Sequence, residues 1–281
     1  MDYLQILILA VIQGLAELLP VSSSAHVITA EKLMSLDPTT PEMTLLLVML
    51  HTGTMFSTIV YFWAAWRRSY FSSAQAFKTN ALWIVVATAL TGVVGYGLML
   101  VIKHVFMSHQ PEFEIEHLFG NARLVAAALA AAGVLIIVSS RIKENSQGEL
   151  SLRRAALIGA VQGLCLPFRG FSRSGATISA GLMAGVARRR AEEFSFALAV
   201  VLTPAVIVRE AVRVYKAEVA MNAEQAAQFL HLFMPGLVGM LMSFVAGLLA
   251  LRWLSRWLEG DRWHLFGGYC LVASLVVLWV G

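Results

Sequence analysis

Ala10-Val11-Ile12-Gln13-Gly14-Leu15 and Gly159-Ala160-Val161-Gln162-Gly163-Leu164 carry one pattern twice, 149 residues apart. In each copy a proline, a serine cluster and a second short apolar stretch follow: Pro20 with Ser22-Ser23-Ser24 in the first, Pro167, Gly170 and Ser172-Arg173-Ser174 in the second. Self-similarity at a fixed offset marks an internal repeat. The segments around the two copies, 3–36 and 155–187, are apolar overall yet interrupted by these polar loops. Non-helical polar backbone survives at membrane depth only where protein or a water-filled cavity surrounds it. Both segments therefore read as re-entrant helix–loop–helix hairpins.

Outward from the hairpins the chain is apolar. Of its 281 residues, 58% are hydrophobic and only 14% charged, with a mean hydropathy of +0.73, which excludes an ordinary soluble globule. Apolar stretches recur at 43–66, 81–102, 122–140, 194–208, 229–251 and 263–280, each expected to cross a hydrocarbon core of roughly 30 Å as a helix. The expected fold is an all-α integral membrane protein with about six transmembrane helices plus the two hairpins. Each half, 1–145 and 150–281, then holds one hairpin and three spans within a single membrane domain. Three is odd, so the halves enter the bilayer in opposite senses as inverted repeats.

The net charge of +4 does not point to nucleic acid, because the basic residues sit in short clusters at helix ends. Arg67, Arg68, Lys78, Arg141, Lys143, Arg153, Arg154, Arg188 to Arg190, Arg252, Arg256 and Arg262 fall on one side, thirteen in all. That side is expected to be cytoplasmic. Lys32, Lys103, Arg209, Arg213 and Lys216 lie opposite, with the acidic stretch Glu112, Glu114 and Glu116. The first hairpin then enters from outside and the second from inside, and their tips meet near the midplane. Met1-Asp2-Tyr3 lacks a basic stretch, and Gln13 and Glu17 interrupt the apolar run after it, unlike a cleaved signal peptide. The two cysteines, Cys165 and Cys270, have no CxxC spacing and suggest neither disulfide framework nor zinc site.

Gln13 and Glu17 are four residues apart and share a helical face just before Pro20. A lone carboxylate near a helix end usually fans out to water, but at membrane depth it must be paired or bind a metal. Ser22-Ser23-Ser24 precedes a helix starting near Ala25. Ordinary N-capping explains the serines, and the same exposed N–H groups attract phosphate. His26 lies in that first turn, beside an acid and hydroxyls, and suits general-base work better than a structural role. Arg173, between Ser172 and Ser174 and ahead of Thr177, offers a rigid fork for a pyrophosphate. A structural ion pair with Glu17 is the alternative, and either reading puts the two residues together. Arg169 is expected to brace the loop; His51 lines the cavity or merely faces a neighbouring helix. His104, His109, Glu112, Glu114, Glu116 and His117 lack a specific ligand motif and read as a solvated outer loop.

Gln13-Gly14-Leu15-Ala16-Glu17-Leu18-Leu19-Pro20-Val21-Ser22-Ser23-Ser24-Ala25-His26, together with Gly170-Phe171-Ser172-Arg173-Ser174-Gly175-Ala176-Thr177, resembles the undecaprenyl-diphosphatase, or bacitracin-resistance, family, over essentially the whole chain. The resemblance implies a phosphatase of the bacterial cytoplasmic membrane that converts undecaprenyl pyrophosphate to the monophosphate and inorganic phosphate. It assigns Glu17 and Gln13 to the acidic motif, Ser23 and His26 to the catalytic centre, and Arg173 with Ser172, Ser174 and Thr177 to the phosphate-binding loop; beside these, Ser22 and Ser24 at the opposite helix N-terminus are expected to bind phosphate, Glu17 and Arg173 to take part in catalysis, and Glu17 and Gln13 to hold the metal. Position 13 is Gln where many members have Glu, and Arg169-Gly170 stands where Pro-Gly is common. The expected cofactor is a divalent cation, Mg²⁺ with Ca²⁺ as an alternative. The expected partners are a polyprenyl pyrophosphate and the bilayer, without nucleic acid; a homodimer stays open, as does water against Ser23 as nucleophile. Inverted repeats with broken helices also suit a transporter or flippase for a phosphorylated lipid or anion. Transport needs charge neutralisation but no general base, so the Glu17, His26 and Arg173 constellation separates the two.

Overall fold

A computed structural model describes residues 2–37, 40–106, 121–143, 145–219 and 233–280. The described residues form ten helices and no strand: α1 (Tyr3–Leu18), α2 (Ser23–Leu33), α3 (Pro41–Ser69), α4 (Ala74–Phe106), α5 (Ala122–Ser140), α6 (Leu152–Leu164), α7 (Arg173–Met183), α8 (Arg188–Val219), α9 (Phe233–Glu259) and α10 (Trp263–Val280). Five of them are long and apolar enough to cross a membrane: α3, α4, α5, α9 and α10. These make the protein a multi-pass, all-helical membrane protein. The stretch 194–208 falls inside α8, which is not among the five. That helix runs 32 residues, far past the apolar run, and carries Arg188 to Arg190, Glu192, Glu193 and an internal Pro204. Residues 229–232 of the predicted fifth span lie outside the described residues, as do His109, Glu112, Glu114, Glu116 and His117.

Local chemistry places the helix ends. Leu19 is extended (ψ 153°), as the residue before a proline must be to clear the ring, and α1 stops there. Thr40 accepts from Met43 N at 3.3 Å with Pro41 in the first turn of α3; Asn121 and Ser151 cap α5 and α6 in the same way. Arg67 and Arg68 close α3, and Arg123 lies in the first turn of α5.

Packing follows from small residues. α1 lies against α9 and α6 against α4; α2 meets α10 and α7 meets α5; α3 bridges α9 and α8. A Cβ on Gly14 would come within 2.6 Å of Ala246 Cβ and 2.7 Å of Ser243 O on α9. One on Gly163 would come within 2.8 Å of Val94 Cβ and 2.9 Å of Thr91 O on α4. The repeated glycine thus permits the same close helix approach in both halves. The largest buried cluster, including Leu18, Phe62, Trp66, Leu129, Phe196, Leu254 and Phe266, lies between the two helix–loop–helix pairs and their neighbours.

Candidate active site

The loops after α1 and α6 meet and tie each other. Ser22 Oγ donates to Arg169 O at 2.8 Å, and Ser174 Oγ donates to Leu19 O at 3.1 Å. Each loop thus gives one hydroxyl to a carbonyl of the other, satisfying backbone acceptors that would otherwise be orphaned in the interior. Ser22 adopts a left-handed φ of 66°, a strained conformation for a non-glycine residue that surrounding contacts must hold. Cys270 on α10 adds a thiol donation to Pro20 O at 3.2 Å.

At the junction Glu17 collects donors from four elements. Arg173 Nη2, from the first position of α7, reaches Glu17 Oε1 at 3.0 Å. Ser23 Oγ donates to Glu17 Oε2 at 2.6 Å, and Gln13 Nε2 donates to the same oxygen at 3.2 Å. His51 Nδ1 donates to Leu47 O at 2.7 Å, directing Nε2 toward Glu17 Oε2 at 3.7 Å, an ion-pair distance once the ring is protonated. Gln13 is fully buried, while Glu17 and Arg173 keep 18% and 23% of their side chains accessible, so a ligand can reach the pair. Arg173 Nη1 is buried and has no hydrogen-bond partner among the described residues. An unmet buried donor costs about 1–3 kcal/mol, more for a charged group, and a phosphate oxygen is the acceptor a guanidinium fork suits.

The remaining sequence-selected residues surround this pair. Ser172 caps α7 by accepting from Gly175 N at 3.2 Å. Thr177 Oγ1 lies 2.8 Å from Arg173 O and 2.6 Å from Ser195 Oγ; its single hydrogen goes to the carbonyl, so Ser195 donates to it. The hydroxyls of Ser22, Ser172, Ser174 and Thr177 are thus engaged within the protein, whereas that of Ser24 makes no hydrogen bond among the described residues. Both ring nitrogens of His26 are bonded elsewhere than to Glu17: Nδ1 meets Ser22 O at 2.8 Å and Nε2 meets the Tyr269 hydroxyl at 2.6 Å. Among the described residues no group of three or more His, Cys, Asp and Glu side chains could hold a metal ion. One carboxylate and one amide oxygen, from Glu17 and Gln13, still match the way Mg²⁺ commonly binds, by few protein oxygens completed by phosphate and water.

The sequence leaves His51 between lining the cavity and facing a neighbouring helix, and does not single out Tyr269. The signal for His51 was an ionisable side chain inside an apolar span. Tyr269, in Gly267-Gly268-Tyr269-Cys270, looks like any tyrosine of a lipid-facing helix, and only the fold brings it to His26.

Comparison with known proteins matches residues 6–276 to the family described as "Bacitracin resistance protein BacA". The chain is 63% identical over 278 residues to "Undecaprenyl-diphosphatase 2" of Acinetobacter baylyi, covering 99% of this chain and 98% of that one. It is 30% identical to "Undecaprenyl-diphosphatase" of Korarchaeum cryptofilum, covering 99% of each, and 34% identical to "Undecaprenyl-diphosphatase 1" of Burkholderia pseudomallei, covering 96% and 94%. With a family match over nearly its whole length and relatives covered end to end, the chain belongs to the bacitracin resistance protein BacA family.

Proposed function

We propose that the protein hydrolyses undecaprenyl pyrophosphate to undecaprenyl phosphate and inorganic phosphate, recycling the lipid carrier for cell-wall synthesis and opposing bacitracin. Arg173 carries this reading: one arm rests on Glu17 and the other, Nη1, is a buried donor awaiting an acceptor. Bound pyrophosphate meets the guanidinium, the amide groups at the N-terminus of α7 and, from the facing loop, the Ser24 hydroxyl with the N-terminus of α2. Ser22 and Ser174 shape that cradle through the bonds that tie the two loops, and Ser172 and Thr177 through bonds at the start of α7. His26 is the general base. Its target is water or the hydroxyl of Ser23, and the 2.6 Å bond from Ser23 to Glu17 makes Glu17 the nearer acceptor for the serine proton. Glu17 and Gln13, with substrate oxygens, hold a divalent cation, Mg²⁺ or Ca²⁺, which polarises the scissile bond when bound.

The architecture proposed around this site has six spans, with α8 as the sixth, and two re-entrant hairpins, α1–α2 and α6–α7, in inverted repeats over 1–145 and 150–281. Exchanging α1–α5 for α6–α10 turns the α1–α9 contact into α6–α4 and the α2–α10 contact into α7–α5, which supports the repeat. The basic-residue census supports a site opening to the outer face of the bacterial inner membrane. Apolar walls between spans hold the prenyl chain. Purified protein in detergent, given undecaprenyl pyrophosphate and a divalent cation, releases inorganic phosphate; lipid movement in vesicles without phosphate release overturns the phosphatase reading in favour of a transporter.

A further inference from the structure

His26 has both ring nitrogens engaged. Nδ1 lies 2.8 Å from Ser22 O; a carbonyl only accepts, so Nδ1 carries the hydrogen of the neutral ring. The lone pair is then on Nε2, 2.6 Å from the Tyr269 oxygen, and the phenol donates to it. The two rings stack with centroids 5.6 Å apart and planes 11° from parallel, which fixes the tyrosine on α10 against the first turn of α2. A carbonyl on one nitrogen and a hydroxyl donating to the other is the arrangement of an oriented base and the proton it takes. That hydroxyl belongs to neither Ser23, which donates to Glu17, nor any other residue of the two loops. Tyr269 is about half exposed at 48%.

We propose that His26 draws the nucleophile's proton through Tyr269, which makes Tyr269 a proton-relaying catalytic residue; this rests on His26 being the general base. As the nucleophile oxygen bonds to the terminal phosphorus, its O–H bond breaks and that proton passes to the phenol oxygen. The phenol proton passes to Nε2, the bond from the terminal phosphorus to the bridging oxygen breaks, and the lipid monophosphate leaves with the electron pair. The phenol is regenerated, and the imidazolium is held by Ser22 O and the Tyr269 oxygen until it returns its proton to solvent. For His26 to act directly, the ring must swing off Tyr269 and surrender the Ser22 bond and the stack as well. The helices packed on α2 are α1, α5 and α10. Their charged or titratable groups are Tyr3 and Glu17 of α1, Arg123 of α5, and His264, Tyr269 and Cys270 of α10, and α2 itself carries Glu31 and Lys32; among the described residues only Tyr269 of these is bonded to the ring.

Phosphate release measured from pH 5 to 10 on the full-length protein, with Tyr269→Phe, His26→Ala and the double variant, tests the relay. Tyr269→Phe keeps the stacked ring and should lower kcat about tenfold or more with little change in KM. It should also move the acidic limb of kcat/KM to lower pH. The lost phenol oxygen accepts from the imidazolium in a charge-assisted bond roughly twice as strong as the neutral one, so its removal favours the neutral ring. His26→Ala should lose roughly 10²–10⁴-fold, and the double variant no more, because the two act in series. Should Tyr269→Phe prove poorly folded, 3-fluorotyrosine at 269 keeps the fold and acidifies the phenol; the relay then shifts the pH profile, and a packing role leaves it in place. Unchanged kcat and profile in these variants beside a defective His26→Ala, or losses that add in the double variant, overturn the relay and leave the base assignment standing. Full activity in His26→Ala overturns that assignment, and the relay with it.

Discussion

Glu17 is held by an arginine, a serine, an amide and a histidine from α7, α2, α1 and α3, so removing its charge disturbs four elements at once. Arg173 depends on that carboxylate and offers its second arm to substrate. Arg173→Ala should lower kcat/KM by roughly 10³–10⁵, the range of an arginine that neutralises a phosphoryl group. Arg173→Lys should recover little, because a point charge cannot replace the fork; a folded lysine variant with near-normal kcat/KM in the phosphate-release assay sinks the assignment. Gln13→Glu exchanges an N–H donor to Glu17 for a second carboxylate. Mutual repulsion then favours a cation between them, and the Mg²⁺ concentration for half-maximal activity should fall; a Mg²⁺ titration that does not move argues against Gln13 as a ligand. The Glu17–Arg173 pairing was legible in the sequence because two opposite charges at membrane depth have few alternatives to each other. The tyrosine on His26 was not, since 243 residues separate them and nothing local distinguishes a catalytic tyrosine from an interfacial one.

The short helices and their loops were legible at the element scale through their breakers: Pro20 forces Leu19 extended, and Ser172 caps α7 where Ser-Arg-Ser appears. The extent of α8 was not, because the apolar run 194–208 marks only its middle and charged turns continue the helix on both sides. Which glycine matters is likewise set by the partner helix. At Gly14 an added methyl meets Ala246 Cβ and the Ser243 carbonyl, whereas at Gly92 of α4 nothing lies within 4 Å. Both substitutions gain about 1 kcal/mol of helix propensity, but overpacking at Gly14 costs typically 1–3 kcal/mol. Gly14→Ala should therefore lower Tm in detergent and, by tilting the turn that carries Glu17, lower kcat, while Gly92→Ala should hold or raise Tm. Equal melting temperatures for the two variants would show that α1 does not need its close seat on α9.

The whole molecule is organised by the relation between its halves, and the side of the membrane on which each hairpin opens decides where phosphate is released. Thirteen basic residues on one side against a sparser opposite side predict that the α2–α3 connection is outside and the α5–α6 connection is cytoplasmic. On that topology Arg123, at the start of α5, adds one cation to the outer side without reversing the balance. Exposed positions in these connections, Asp37 and Glu149, report the orientation directly. Cys165 is half-buried and Cys270 fully buried, so a background in which both are replaced carries a single introduced thiol. In intact cells an impermeant maleimide should label Asp37→Cys and spare Glu149→Cys until the membrane is opened. This outcome puts the mouth of the α1–α2 hairpin, and the cleavage it supports, on the outer face. Labelling at 149 but not at 37 inverts the topology, because the odd number of spans proposed in each half makes the two hairpins exchange sides together, and cleavage would then take place at the cytoplasmic face.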